Sequence, residues 1–172
     1  MDQTRRGFFQ SFSEPFRQNN QAVKPIRLPY NKDESLFQKE CISCEDKPCT
    51  TVCDEEIIKI SENGSVELSF LKRGCTYCDA CLEACPKEVL TQDEEYKHIQ
   101  AIVKLDMTMC MAWKNVICSS CKDVCYDNAI NFLGMLRPEI NYDNCTSCGF
   151  CIGVCPSNAI TATALVEKKD KN

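Results

Sequence analysis

The sequence is poor in several residue types, and each scarcity narrows what the chain can be. Its 172 residues include one histidine, six glycines and seven prolines. A single histidine excludes histidine-based metal chemistry as a main theme, and so few glycines and prolines exclude collagen-like and proline-rich chains. No apolar run approaches the roughly 20 residues that a membrane-spanning helix needs. The chemistry or the scaffold must come from another residue type.

That residue type is cysteine, of which the chain has 16. The cysteines form four groups of four, and the first members of successive groups are 34, 35 and 35 residues apart. Such regular spacing indicates an internal repeat. The groups are Cys41, Cys44, Cys49 and Cys53; Cys75, Cys78, Cys81 and Cys85; Cys110, Cys118, Cys121 and Cys125; and Cys145, Cys148, Cys151 and Cys155.

The second and fourth groups follow the pattern Cys-x2-Cys-x2-Cys-x3-Cys-Pro, ending at Pro86 and Pro156. This is the bacterial ferredoxin run for a [4Fe–4S] cluster. Two-residue gaps let one curled loop present three thiolates to a cubane. The fourth thiol begins a helix that leads away, so in paired ferredoxins it ligates the neighbouring cluster. The pattern predicts a cluster at both groups.

The first and third groups are irregular, with four residues between Cys44 and Cys49 and seven between Cys110 and Cys118. We still predict a cluster at each, because the flanking sequence repeats as well. Similar five-residue phrases follow the four terminal cysteines, for example Tyr126–Ile130 and Pro156–Ile160. The sequence therefore predicts up to four [4Fe–4S] clusters, with all 16 cysteines as ligands and the third group as the least regular.

Two other uses of the thiols remain open at this point. A disulfide framework would need an export signal, and two-residue spacing suits metal better. Structural zinc more often uses Cys-x2-Cys pairs separated by a dozen or more residues. Zinc, or no metal at all, stays open for the third group.

Two hairpins are predicted between the groups. Ile58–Leu68 contains an Asn63-Gly64 turn, and Ile130–Ile140 is interrupted at Gly134. These hairpins join the first group to the second and the third to the fourth. We predict an α+β fold of two bacterial-ferredoxin-like modules, in which short β-hairpins and short helices surround the clusters. Nesting of the first group with the fourth, around the second and third, stays open.

The predicted boundaries follow from this pairing. An extended basic arm covers 1–32, the first module 33–90, a charged connector 91–101, the second module 102–165 and a tail 166–172. The arm holds six basic and two acidic residues, whereas 33–162 holds 11 basic and 21 acidic residues. Clusters bound by four thiolates add further negative charge. Such a body does not bind nucleic acid and should prefer partners with basic patches.

The amino terminus contains Arg5 and Arg6 in a segment similar to a twin-arginine export motif. The apolar stretch that an export signal requires does not follow, because the chain continues with polar residues up to Pro25. We interpret the pair as a partner-docking element on a protein that stays in the cytoplasm, where thiols remain reduced. A chance basic pair on a disordered arm is the other interpretation.

Together these motifs resemble the NapF family, the ferredoxin-type accessory proteins of the periplasmic nitrate reductase system. The shared features are the Arg-Arg-Gly start, the approach Ile26–Tyr30 with Glu34 and Phe37, three ferredoxin-type groups and the displaced third group. One feature departs from the family, whose members usually have two residues where this chain has four after Cys44. The departure puts the environment of the first cluster in doubt more than its existence.

The resemblance implies a cytoplasmic protein that binds the precursor of the nitrate reductase catalytic subunit. It would assist maturation before export, through iron–sulfur loading or redox control. The alternative is an electron-transfer polyferredoxin that relays single electrons to an oxidoreductase. A structural metal-binding interaction protein is a third possibility. The sequence has no nucleotide loop, flavin signature or Cys–His pair, so we do not expect an enzyme.

Overall fold

The computed structural model describes residues 24–31 and 33–165. The predicted docking residues Arg5 and Arg6 and the predicted tail 166–172 lie outside the described residues. Within the described ranges, no helix has the length and apolar character needed to cross a membrane.

Secondary structure is short throughout, because each ligand loop turns the chain after a few residues. The strands are β1 Ile58–Ile60, β2 Val66–Leu68, β3 Ala101–Leu105, β4 Ile130–Leu133, β5 Leu136–Ile140 and β6 Ile160–Ala164. The α-helices are α1 Glu34–Leu36, which continues as a π-helical turn over Phe37–Cys41, α2 Ala80–Glu83, α3 Ser120–Asp123 and α4 Phe150–Gly153. Single 3₁₀ turns occur at Pro48–Thr50, Glu94–Tyr96 and Ala112–Lys114.

The described strands form three antiparallel pairs. β1 pairs with β2, with Ile58 opposite Leu68, and β4 pairs with β5, with Ile130 opposite Ile140. Both hairpins predicted from the sequence are therefore present, and Gly64 and Gly134 have the positive φ that their tight turns require. The third pair joins β3 to β6, which lie before the third cysteine group and after the fourth.

A repeated turn follows the terminal cysteine of every group. Three residues after that cysteine the backbone is left-handed, with φ of 51° or 52° in each case. In all four copies the amide of this residue donates to the carbonyl oxygen of the cysteine, at 2.9 to 3.4 Å. The repeat seen in the sequence is therefore also a repeat of backbone conformation. The four residues are Glu56, Glu88, Asn128 and Asn158.

Residues 24–31 are the described part of the predicted extended arm, and they pack onto the folded body instead of extending from it. Leu28 and Tyr30 are almost fully buried in the cluster of apolar side chains that contains β1 and β2. Arg27 is 3% exposed and donates to the carboxylate of Glu34 and to the carbonyl oxygen of Val66. The prediction rested on the net charge and polarity of all 32 residues. It therefore missed the short apolar alternation of Ile26, Leu28 and Tyr30, which packs this segment into the core.

The connector between the second and third groups is also tied to the body. Tyr30 donates its amide to the carbonyl oxygen of Tyr96 and accepts from the amide of Thr91. Ala101, predicted as the last connector residue, already pairs with Ala164 in β3 and β6. The segment therefore adds to the packing around residues 24–31.

Candidate iron–sulfur sites

The thiols come together in four sets of four, and each set draws on two groups. Three members of a set come from one ligand loop, and the fourth is the terminal cysteine of another group. We name the sets the first to fourth sites after the loop that supplies the three. The first site contains Cys41, Cys44, Cys49 and Cys85; the second Cys53, Cys75, Cys78 and Cys81; the third Cys110, Cys118, Cys121 and Cys155; the fourth Cys125, Cys145, Cys148 and Cys151.

Terminal cysteines are thus exchanged between neighbouring loops. Cys85 begins the turn after α2 and reaches the first site, while Cys53 reaches the second. Cys125 and Cys155 are exchanged between the third and fourth sites in the same way. The sequence predicted a helix that begins at the fourth thiol, but in the second, third and fourth groups the short helix ends just before that thiol and a turn follows it. The helix therefore carries the last thiol out of its own loop, and the observed exchange is the consequence.

Burial and crowding disfavour thiolates at these sites when no positive charge is bound. Burial, together with the nearby thiols of Cys41, Cys85 and Cys44, raises the pKa of Cys49 to about 11. Burial and, to a smaller extent, the neighbouring thiols likewise raise the pKa of Cys81 and of Cys151 to about 12. Ligation by iron requires the thiolate form, so cluster assembly at these positions must release protons.

Backbone amides oppose this effect at several sulfur atoms. Amides donate to the sulfur of Cys75 from Tyr77 at 3.4 Å, of Cys125 from Ala129 at 3.3 Å and of Cys155 from Ala159 at 3.2 Å. At Cys155 burial raises the pKa, but the hydrogen bonds outweigh it and the pKa is lowered. Amides aimed at sulfur favour the thiolate and tune bound clusters. The donor set therefore fits anionic clusters held by four thiolates.

The four sites differ in their exposure to solvent. Cys78 of the second site is the exposed thiol, whereas the other cysteines are buried or half-buried. No three His, Cys, Asp or Glu side chains of the described ranges lie close enough together to hold a single metal ion. The thiols instead surround apolar cavities, into which Leu28, Phe37 and Val66 also project at the first site.

The second and fourth sites lie against each other. The amide of Cys75 donates to the carbonyl oxygen of Cys148 at 2.7 Å, and the hydroxyl of Tyr77 donates to the carbonyl oxygen of Thr146. The hydroxyl of Ser147 donates to the carbonyl oxygen of Ala101 at 2.6 Å. The first two bonds join the ligand loop of the second group directly to that of the fourth, and the third joins the fourth loop to the first residue of β3.

Two basic residues near the first site are absent from the residues predicted to have a role there. Arg27 stacks on the ring of Phe37, with 4.6 Å from its guanidinium carbon to the ring centroid, and thereby positions the helix that leads to Cys41. Lys47, within the lengthened loop, is buried and lines the cavity that the thiols of the first site surround. The one feature of the sequence that could have pointed to Lys47 is its position between the predicted ligands Cys44 and Cys49. Nothing in the sequence alone distinguishes a buried lysine there from a solvated one.

These features define the class of protein. Residues 138–161 match the family model described as a 4Fe-4S binding domain. Together with the cysteine content and the short strands and helices, this match defines a ferredoxin-type iron–sulfur protein with several [4Fe–4S] clusters.

The relatives narrow the class further. The ferredoxin-type protein NapF of Escherichia coli (strain K12) is 33% identical over 151 residues, which are 84% of this chain and 88% of that protein. The ferredoxin-type protein NapF of Haemophilus influenzae is 31% identical over 95% of this chain and 93% of its own length. The thiosulfate reductase electron transfer subunit PhsB of Salmonella typhi is 32% identical over 67% of this chain and 60% of that subunit.

The chain belongs to the NapF family of ferredoxin-type proteins. The resemblance drawn from the sequence motifs is thereby confirmed.

Proposed function

We propose that each of the four sites holds one [4Fe–4S] cluster, with the 16 cysteines as ligands in the sets given above. The supporting observation is the exchange of terminal cysteines, which gives every site four thiols without leaving any over. We also propose two modules, 33–90 and 102–165, because exchange occurs within each of these pairs of groups. The predicted connector 91–101 links them, with its last residue, Ala101, already part of β3.

We propose further that the protein is a cytoplasmic accessory factor of the periplasmic nitrate reductase system. It binds the precursor of the catalytic subunit and assists its maturation before export, through iron–sulfur loading or redox control. Membership in the NapF family over most of the chain is the observation that carries this proposal. The protein has no substrate of its own in this scheme, since all of its cysteines serve as ligands.

Arg5 and Arg6 are proposed to contact the precursor. The test is a pull-down with the tagged catalytic-subunit precursor, comparing the full chain with a form that lacks residues 1–23. Truncation has to stop before Lys24, because Arg27, Leu28 and Tyr30 belong to the core. We expect the full chain to retain the precursor and the shortened form to retain much less.

A matched pair of variants separates the arginine pair from general charge. Arg5→Gln with Arg6→Gln should reduce capture, whereas Arg17→Gln with Lys24→Gln removes the same charge and should have little effect. Equal loss in both variants would mean that the arm acts through its net charge alone. Failure of the full chain to bind the precursor would remove the maturation role.

The second candidate is a protein that relays single electrons to an oxidoreductase. The hydrogen bond from Cys75 to Cys148 favours it, because it holds the second and fourth sites together across the two proposed modules. The similarity to an electron transfer subunit of thiosulfate reductase also supports it. Potentiometric EPR without any reducible cluster would exclude this candidate, and stoichiometric transfer of a cluster to apo-enzyme would favour maturation.

A further inference from the structure

The lengthened loop of the first group places a lysine side chain inside the first site. Lys47 lies between Cys44 and Cys49, with left-handed backbone angles of 40° and 57°, immediately before the turn Pro48–Thr50. Its side chain folds back into the loop, and its ammonium group donates to the carbonyl oxygen of Cys44. Lys47 is 8% exposed and lines the cavity that the four thiols surround.

Among the residues that the structure describes, no carboxylate pairs with the charge of Lys47. Ion pairs of the described residues join Arg27 to Glu34, Arg73 to Glu55 and Lys97 to Asp79, and none includes Lys47. Among the lysines of the described ranges, Lys47 is the only one that is buried. A buried ammonium without a counter-charge is costly. The site therefore needs a negative charge within the cavity, which a cluster bound by four thiolates supplies.

We propose that Lys47 is the charge partner of the cluster at the first site and raises the reduction potential of that cluster above the value it would otherwise have. Reduction adds negative charge to a cluster, and a fixed positive charge in a poorly hydrated environment favours the reduced form. The proposal rests on the ligand set proposed for the first site. It does not depend on the role in maturation.

The lysines at the other sites lack this combination of burial and free charge. Lys97, near the second site, is 3.6 Å from the carboxylate of Asp79. Lys114 and Lys122, in the loop and helix of the third group, are exposed to solvent. Lys87 lines the first site as well, but its side chain is exposed. Water screens an exposed charge, so Lys87 offers a matched control within the same cavity.

The experiment is a potentiometric EPR titration of the reconstituted full chain, with iron and sulfide counted for every variant. In Lys47→Met we expect one cluster to shift to a more negative midpoint potential and the others to keep theirs. Lys47→Arg keeps the charge and should remain close to the wild type. Lys87→Met removes an exposed charge from the same cavity and should shift the potential much less. The signal that disappears in Cys41→Ala, which has no ligand atom at this position, identifies the first site.

Two results would overturn the proposal. One is an unchanged set of potentials in a fully loaded Lys47→Met protein, and the other is an equal shift in Lys47→Arg. If Lys47→Met fails to assemble the first cluster, assembly in Lys47→Arg supports the proposal and failure in both contradicts it. Unchanged iron content in Cys41→Ala would show that the ligand set itself is wrong, which is a separate and recognisable failure.

Discussion

At the scale of single residues, the main finding is that a cysteine's group does not determine its site. Cys85 belongs to the second group by sequence but lines a cavity with Cys49 of the first, while Cys81 of its own group faces another site. Paired substitutions can distinguish the two assignments because each [4Fe–4S] cluster contributes four irons.

Cys49→Ser with Cys85→Ser should remove one cluster, because both thiols serve the first site. Cys81→Ser with Cys85→Ser should damage two clusters, because these thiols serve different sites. Iron analysis after anaerobic reconstitution should show losses of about four and about eight irons per chain. If ligation followed the groups in the sequence, the two variants would exchange these results.

The sequence predicted the thiols as ligands, because the two-residue gaps carry the geometry of a cubane loop. It left the pairing of groups open between adjacent and nested arrangements. The roles of Arg27 and Lys47 could not be predicted, since both depend on burial in three dimensions. A buried lysine and a solvated one look alike in the sequence.

At the scale of secondary-structure elements, the turn after each terminal cysteine recurs with residues of unequal suitability. Asn128 and Asn158 occupy its left-handed position in the second half, whereas Glu56 and Glu88 occupy it in the first. Asparagine enters the left-handed region more easily than glutamate does. The two turns of the first half are therefore more strained than the matching turns of the second half.

Glu88→Asn should stabilise the protein by about 0.5–1 kcal/mol, because it relieves this strain at an exposed position. Urea unfolding of the cluster-loaded protein, followed by visible absorbance and circular dichroism, would show a higher midpoint. Glu83→Asn is the control, since it makes the same exchange within α2, where asparagine is the poorer helix former. A gain of equal size in both variants would contradict the explanation by strain.

A second element-scale prediction concerns Gly153 at the end of α4. A Cβ atom there would lie 2.6 Å from the carbonyl oxygen of Lys72, which precedes the second cysteine group. In a helix alanine normally exceeds glycine in stability by about 1 kcal/mol. Here we expect Gly153→Ala to cost about 1–3 kcal/mol instead, because the atom in the way is backbone.

Urea unfolding of the loaded protein would measure this cost. Gly134→Ala is the comparison, because no atom lies within 4 Å of its added Cβ and its penalty comes only from the positive φ. A neutral or stabilising Gly153→Ala would mean that the second and fourth groups can separate without loss of stability.

The secondary-structure elements differ in how well they can be predicted from the sequence. The Asn63-Gly64 turn predicted the β1–β2 hairpin, since the signal lies within a few residues. The pairing of β3 with β6 joins Ala101 to Ala164 and has no local signal of its own. The short alternation in Ile26–Tyr30 was present in the sequence, but the polar composition of its surroundings outweighed it.

At the scale of the whole molecule, negative charge is concentrated in one half. Residues 33–100 hold 16 acidic and seven basic side chains, while 101–162 hold five acidic and four basic ones. A partner with a basic patch should therefore dock on the first half, around the second site with its exposed Cys78. Asp54 and Glu56, both exposed, adjoin this site through Cys53.

If the proposed partner is the nitrate reductase precursor, Asp54→Asn with Glu56→Gln should slow association with it roughly two- to tenfold at low salt, by reducing electrostatic steering. Glu139→Gln with Asp143→Asn removes the same charge from exposed positions in the other half and should have a smaller effect. Surface plasmon resonance at low salt and at about 0.5 M salt would test this. At the higher concentration, screening should bring the association rates of the wild type and both double variants close together. Iron counting must first show that the variants keep all their clusters, since Asp54 adjoins a ligand. Equal effects from the two pairs, or a difference that persists at high salt, would show that charge on the first half does not guide the partner.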